Sequence, residues 1–407
     1  MFATPTVETQ LGSETYDPSA FDAPDYYALD DLLTDEQKYM RDTVRGFINR
    51  EVLPIIEEHA QTMTFPRHLV KEFARLGMLG SSIPTEYGGG GHDAFVYGLL
   101  MQEVERADSG LRSFCSVQSS LVMYPIWRYG SEAQKRYWLP RLASGDALGC
   151  FALTEPRHGS NPSGMETRAV RDGNDLIISG HKRWSTNASE GDVCVVWARD
   201  DDGDVRGYLV ELDRPGVSAP RIMDKWSLRA AITSEVIFDE VRIPASNQLP
   251  GAKGLRGPLS CLTQARYGIA WGVVGAAMGC YDAALQHAKN REQFGRPIGG
   301  FQLIQERLAE MVTEITKAQL LVARLAQLKD AGTMRPQQVS MAKRANCEMA
   351  LKVARIARQI LGGNGVLGMY PVMRHMMNLE SVVTYEGTHE VHTLVIGQDV
   401  TGLNAFK

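Results

Sequence analysis

Apolar residues recur at helical spacing through the first third of the chain, at every second position through the middle third, and at helical spacing again to the end. Thr34 followed by Gln37 has the pattern of a capping box, and the stripe Met40, Val44, Phe47 and Ile48 behind it predicts a helix. The helical period continues over 68–79 and 94–107, punctuated by Ile83-Pro84 and the glycine run 88–91. Residues 1–31 show no such pattern and read as an irregular arm before an N-terminal helical domain over 32–150.

Beyond Gly149 the period shortens to that of strands. Asp172-Gly173 reads as the turn of a hairpin joining 168–171 to 176–179, and 193–197, 207–212 and 235–244 supply further strand runs, so 151–255 is predicted to be a small β domain. Long amphipathic segments over 270–290, 302–331 and 337–361, and a shorter one from Glu390, predict a C-terminal four-helix bundle over 256–407. The fold class is therefore α+β, in the order helices, strands, helices.

Composition narrows the function classes. A chain of 407 residues with 44% hydrophobic and 22% charged residues can fill two or three domains. A net charge of -5 and a pI near 6.0 argue against a general binder of nucleic acid or anionic membrane. No apolar run approaches the roughly 20 residues that cross a bilayer, so no membrane span is expected. Residues 1–31 contain no Lys or Arg, the opposite of a presequence, and a cytoplasmic, bacterial location is the expectation. Six cysteines without a CxxC pair read as reduced, mostly buried small hydrophobes.

Several segments could carry chemistry. In Thr384-Tyr385-Glu386-Gly387-Thr388 a carboxylate stands beside a glycine that lets the backbone approach a ligand, making Glu386 a candidate base; taken alone, it also reads as a solvated loop glutamate. Leu153-Thr154-Glu155-Pro156 with Gly159-Ser160-Asn161 is a polar, turn-forming stretch at the junction of helices and strands. Trp184 and Thr186 stand two apart on a strand and so share a face, although a core Trp is the ordinary explanation. Arg291 to Gly295 and Gln359 to Gly365 end two long helices with permissive glycines. A GxGxxG fingerprint is absent, and His389 and His392 lie three apart where a zinc-binding HExxH needs four, so neither a Rossmann site nor a metal is expected.

In this order along the chain, these segments resemble the acyl-CoA dehydrogenase family over essentially everything after residue 31. The runs from Glu105 to Ser113 and Ser116 to Ser120, with Met165 to Arg168, Ala265 to Gly272 and Thr384 to His389, resemble the glutaryl-CoA dehydrogenases in particular. The resemblance implies FAD held between the β domain and the C-terminal bundle of a homotetramer, with Glu386 as base. It implies that Thr154, Trp184 and Thr186 lie on the flavin side, that Arg291, Phe294, Gln302, Gln359, Gly362 and Gly363 hold the adenosine diphosphate, and that Thr388 lies near the pyrophosphate. Ser160 and Arg266 would line the CoA side, Tyr385 and Gly387 would flank the base at the substrate, and an electron transfer flavoprotein would be the partner in reoxidation.

Substrate choice rests on Arg112 with Ser113 and Ser116. A guanidinium is a planar fork suited to a carboxylate, so Arg112 could take the distal carboxyl of glutaryl-CoA. Glu105, Thr186 and Tyr385 resemble members that go on to decarboxylate to crotonyl-CoA. The alternatives are a non-decarboxylating or other short-chain or dicarboxylyl acyl-CoA dehydrogenase, or a catalytically silent flavoprotein scaffold. Asn161, where the family usually has Asp, and Thr263, where Asn or Asp is usual, depart from the pattern on the CoA side.

Overall fold

The computed structural model describes residues 16–406; the first part of the arm expected over 1–31, residues 1–15, and Lys407 lie outside the described residues. Thr34 opens helix α1 (Asp35–Phe47) through the capping box read from the sequence, its hydroxyl accepting from Gln37 N at 3.2 Å while Gln37 Oε1 accepts from Thr34 N at 2.9 Å. After α2 (Leu53–Thr62), the helix predicted over 68–79 is cut down to a 3-10 turn and α3 (Val70–Arg75), because Gly77 leaves the helical path at a φ of 71°. Helix α4 (Ala94–Ala107) is buried along its whole length. Asp108 then turns the chain and caps α5 (Ser109–Ser116), accepting from Gly110 N at 2.7 Å. A π-helical stretch, Val117–Met123, leads into α6 (Tyr124–Tyr129) and α7 (Glu132–Ala143).

The β domain is one curled sheet. Strand β1 (Gly149–Ala152), which has no counterpart in the sequence pattern, runs parallel to β4 (Val193–Arg199), and β5 (Val205–Glu211) lies antiparallel on β4's other edge. Strands β2 (Arg168–Asp172) and β3 (Asp175–Thr186) form the expected hairpin, but its turn is Gly173 and Asn174, one position later than expected, with Gly173 at a φ of 62°. The short β6 (Val217–Ser218) and β7 (Thr233–Pro244) complete the order beyond β3. Both faces of β4 are buried: Val193, Val195 and Trp197 meet α6, α7 and the start of the C-terminal region, while Cys194, Val196 and Ala198 pack on Ile178, Phe238 and Val241.

The C-terminal region holds α8 (Arg256–Asn290), α9 (Gln302–Asp330), α10 (Pro336–Ile360), α11 (Val372–Val382) and α12 (His389–Thr401). A small ribbon, β8 (Glu292–Gln293) with β9 (Arg296–Pro297), links α8 to α9. Helix α8 starts earlier than expected, and α11 is not evident in the pattern. Among the described residues α8 alone is long and apolar enough to cross a membrane, yet 89% of its apolar window is buried inside the protein. Residues of the predicted arm pack on this bundle: Gln286 on α8 bonds Asp17 N and O, and Gln319 on α9 donates to Pro24 O at 2.9 Å. The six cysteines are free and buried.

Helices α4 and α8 cross at backbone contact. A Cβ on Gly275 would sit 1.9 Å from the carbonyl oxygen of Gln102, and one on Gly272 would sit 2.0 Å from Glu105 Oε2. Because the obstacle at Gly275 is backbone, Gly275→Ala is expected to force the helices apart and to cost about 1–3 kcal/mol or more, the range for overpacked interiors. Chemical denaturation followed by circular dichroism checks this, and an unchanged midpoint would show that the crossing has slack.

Candidate active site

The crossing of α4 and α8 sets the geometry of the site. Glu105 on α4 and Arg112 on α5 are both fully buried, and Arg112 Nε donates to Glu105 Oε2 at 2.6 Å in the space that Gly272 leaves. Arg112 Nη2 donates to the Tyr385 hydroxyl. The pair is not saturated: Arg112 Nη1 and Glu105 Oε1 are buried with no hydrogen-bond partner, and the same holds for Ser116 Oγ. Ser113 is also buried on α5. Burial works against the charge on Arg112, but Glu105 and Tyr385 outweigh it, so the guanidinium stays protonated.

The segment between α11 and α12 brings Glu386 to this pocket. Glu386 has a left-handed backbone, φ 52°, and Gly387 follows at 98°. These two inverted residues turn three successive carbonyls toward buried cations. Lys343 on α10 donates to Tyr385 O and to Gly387 O, each at 2.7 Å, and Arg266 on α8 donates from Nε to Glu386 O at 2.6 Å. Glu386 Oε2 is buried without a hydrogen-bond partner. Burial raises the carboxyl's pKa, while Arg112, Lys343 and Arg266 hold it back.

The glycine at 387 is required twice over, by its φ and by His392, whose Nε2 would lie 2.9 Å from an added Cβ. His392 is fully buried on α12, neither of its ring nitrogens has a partner, and burial pushes its pKa down to about 3, so it is a neutral wall. Thr388 caps α12, its hydroxyl accepting from Val391 N at 3.2 Å.

The other expected site residues fall into three places. On the β domain, Thr154 follows β1 and its carbonyl accepts from Arg183 N at 2.8 Å. Trp184 is 55% exposed, which removes the core-tryptophan reading; it stands at a bulge with φ 64°, so the regular strand alternation assumed for Trp184 and Thr186 is broken there. Ser185 between them is buried and Thr186 is half-buried, so accessibility alternates after the bulge. Ser160 is exposed in the loop after β1. At the end of α8, Arg291 precedes the β8–β9 ribbon, Phe294 on its tip is 93% exposed, and Gln302 is exposed at the start of α9. At the end of α10, Gln359, Gly362 and Gly363 are exposed, and neither glycine has a heavy atom within 4 Å of a would-be Cβ. Arg266 lies against the backbone of Glu386, a contact not evident in its sequence position.

Sequence reasoning missed Lys343 altogether. Its signal was available: it falls on the stripe Val339, Ala342, Asn346, Cys347 and Ala350, the buried face of α10, where a lysine needs a reason. Glu155, His158 and Glu166 have ligand atoms within 4.8 Å of one another, the spacing of a metal site. The Glu155 carboxylate, however, already accepts from Glu166 N at 2.6 Å, from Thr167 N at 2.9 Å, from Thr167 Oγ1 at 2.6 Å and from Lys182 Nζ at 2.9 Å, so its charge and most of its accepting capacity are taken up within the chain.

A large exposed indole on a strand, touched by the Arg183 guanidinium, an exposed phenyl on a ribbon tip, in edge contact with Phe301, and open glycines at a helix end are accessible surfaces that fit a flat, phosphate-bearing cofactor. The comparisons agree. The N-terminal, middle and C-terminal domain families of acyl-CoA dehydrogenase match residues 34–146, 150–241 and 252–401. The short-chain specific acyl-CoA dehydrogenase of Bos taurus mitochondria is 35% identical over 370 residues, 89% of this chain and 90% of that one. A glutaryl-CoA dehydrogenase structure from Mycobacterium smegmatis is 51% identical with a TM-score of 0.91, covering 93% of this chain and 98% of that one. A second from the same organism, in complex with FADH2, is 49% identical with a TM-score of 0.93, covering 97% and 100%.

The chain belongs to the acyl-CoA dehydrogenase family. It is an FAD-dependent enzyme.

Because the Glu386 carboxyl is raised above the ordinary 4.5, kcat/KM for an acyl-CoA is expected to fall on the acid side with a midpoint above that value. A pH profile of steady-state dehydrogenation measures it; a midpoint at or below 4.5 would contradict the desolvated carboxylate.

Proposed function

We propose that this enzyme oxidises and decarboxylates glutaryl-CoA to crotonyl-CoA and carbon dioxide. The observation that carries the reading is the unsaturated pair Arg112 and Glu105: a fully buried guanidinium retains one unpartnered nitrogen, Nη1, and Ser116, one turn further along α5, has an unpartnered buried hydroxyl. A buried donor left unpaired costs free energy, and a distal carboxylate on the substrate would satisfy it. An aliphatic acyl chain offers nothing to these groups. The similarity to two glutaryl-CoA dehydrogenase structures at 51% and 49% identity supports the same substrate.

Glu386 would take the α-proton. Its carboxylate is desolvated, and so matched to a weak carbon acid better than an ordinary glutamate is. Bound FAD would supply the acceptor for the hydride that leaves the β-carbon. Trp184, Thr186 and Thr154 would hold the cofactor on the β-domain side; Arg291, Phe294, Gln302, Gln359, Gly362, Gly363 and Thr388 would serve its diphosphate and adenine end, part of this through a neighbouring subunit of a homotetramer. Ser160 and Arg266 would face CoA. Once the α,β single bond has become a double bond, the distal carboxylate lies beside a vinylogous electron sink, so carbon dioxide can leave and Glu386 can return the proton to the resulting dienolate. An electron transfer flavoprotein would then collect the electrons.

Two substitutions test the reading together. Glu386→Gln is expected to keep FAD and bind the thioester but to lose flavin bleaching on anaerobic mixing. Arg112→Met is expected to lower kcat/KM for glutaryl-CoA about 100-fold or more relative to butyryl-CoA, the scale of losing a charge-assisted partner of about 3 kcal/mol. Equal losses on both thioesters would remove Arg112 from substrate selection.

A further inference from the structure

The buried surroundings of Glu386 contain one charged group that the mechanism above does not use. Lys343 Nζ donates to the carbonyls on both sides of Glu386, Tyr385 O and Gly387 O, each at 2.7 Å, and the side chain is almost wholly inaccessible at 1% exposure. No acidic side chain forms an ion pair with it among the described residues. Holding an ammonium in such a place is costly, and burial brings its pKa down to about 8. Two carbonyls could be satisfied more cheaply by neutral donors, so the charge itself requires a role.

The geometry points to Lys343 as a positioning residue that acts through Glu386: its two hydrogen bonds hold the inverted backbone that aims the carboxylate, and its charge sets the pH at which that carboxylate is free to act. The inference rests on Glu386 being the base. The backbone argument is direct, because Glu386 at φ 52° and Gly387 at φ 98° turn their flanking carbonyls toward the ammonium, and without it those carbonyls lose their partner. The electrostatic argument follows from what else faces the carboxylate. From α5 and α8 come the cations Arg112 and Arg266, but Arg112 is shared with Glu105 of α4 and Arg266 Nε is committed to the Glu386 carbonyl. On α10 itself the nearest other titratable group is the Cys347 thiol, which burial pushes up to about 11, and on α12 it is His392, held neutral. Tyr385 is likewise neutral, its phenol raised by burial. Lys343 and Arg266 are thus the two cations facing the carboxylate that share their charge with no other carboxylate among the described residues, and of the two only Lys343 also holds the carbonyls on both sides of Glu386.

The test separates charge from scaffold. Lys343→Met removes both hydrogen bonds and the charge; Lys343→Gln keeps an N–H donor and removes the charge. FAD-loaded proteins are mixed anaerobically with glutaryl-CoA or butyryl-CoA, whichever bleaches the wild type faster, and the limiting rate of flavin reduction is followed with pH. For Lys343→Met the plateau is expected to fall about 100-fold, as for a misplaced catalytic group, with the thioester Kd little changed. The acid-limb midpoint is expected to move up by about one unit or more, since removing a nearby cation disfavours the carboxylate. Lys343→Gln is expected to regain much of the plateau but to keep the displaced midpoint. A residue that only braces the loop would change the plateau and the melting temperature and leave the midpoint in place.

A wild-type midpoint in a Lys343→Gln protein that holds FAD overturns the electrostatic role, and a wild-type plateau in FAD-loaded Lys343→Met overturns the positioning role. If Lys343→Met does not retain FAD, the midpoint of Lys343→Gln decides. Glu386→Gln is run alongside: loss of bleaching in that protein together with unchanged Lys343 variants removes this inference alone. Bleaching by Glu386→Gln at the wild-type rate removes the base assignment, and this inference with it.

Discussion

The backbone contact between α4 and α8 is the constraint on which the rest of the site depends. A Cβ at Gly272 would meet Glu105 Oε2 at 2.0 Å and Arg112 Cδ at 3.2 Å, so the ion pair occupies the volume that the glycine vacates. Burying a guanidinium and a carboxylate is expensive unless each is well partnered, and a hydrophobic pair of similar size would in general be as stable or more so. The fold nevertheless keeps a charged pair there and leaves Arg112 Nη1 and Glu105 Oε1 unpartnered. That expense is intelligible as preorganisation: groups already fixed and dehydrated can meet a charged substrate without further rearrangement.

The loop that bears Glu386 is tied to the same pair. Tyr385 accepts from Arg112, while Lys343 and Arg266 bind the three carbonyls from Tyr385 to Gly387, so helices α5, α8 and α10 all converge on one short inverted segment. Thr388 then caps α12 and His392 closes the far side. The carboxylate therefore sits among cations whose effect opposes that of burial: burial drives it toward neutrality and three positive groups pull it back. A base in such a balance responds to the removal of any one cation.

Much of this architecture was legible in the chain because it follows from periodicity and capping. The Thr34 capping box, the period-2 alternation of β7 around Val236, Phe238 and Val241 and the long stripes of α9 and α10 all have local causes. Strand β1 escaped because four buried residues are too few to show a period, and the hairpin turn was read one residue early because Gly173 fits the second position of Asp172-Gly173 as well as the first of Gly173-Asn174. In the site, Glu386 and Arg112 were readable from residue type beside glycine or within a polar run. Lys343 could be singled out only as a lysine on the buried stripe of α10; its role could not, since its partners are backbone carbonyls some forty residues away, and side-chain patterns carry no record of which carbonyls face inward. The bulge at Trp184 was hidden for a related reason: nothing in Lys182-Arg183-Trp184-Ser185 announces a left-handed tryptophan.

The measurement that bears most directly on the central claim, that the buried pocket is built for a distal carboxylate, compares two thioesters of equal chain length. FAD-loaded enzyme is mixed anaerobically with glutaryl-CoA or with pentanoyl-CoA, which lacks only the terminal carboxylate oxygens, and the second-order rate of flavin bleaching is recorded for each. The account expects glutaryl-CoA to be faster by about 100-fold or more, the discrimination a site built around a buried polar group can supply. Equal rates, or a preference for pentanoyl-CoA, would contradict it.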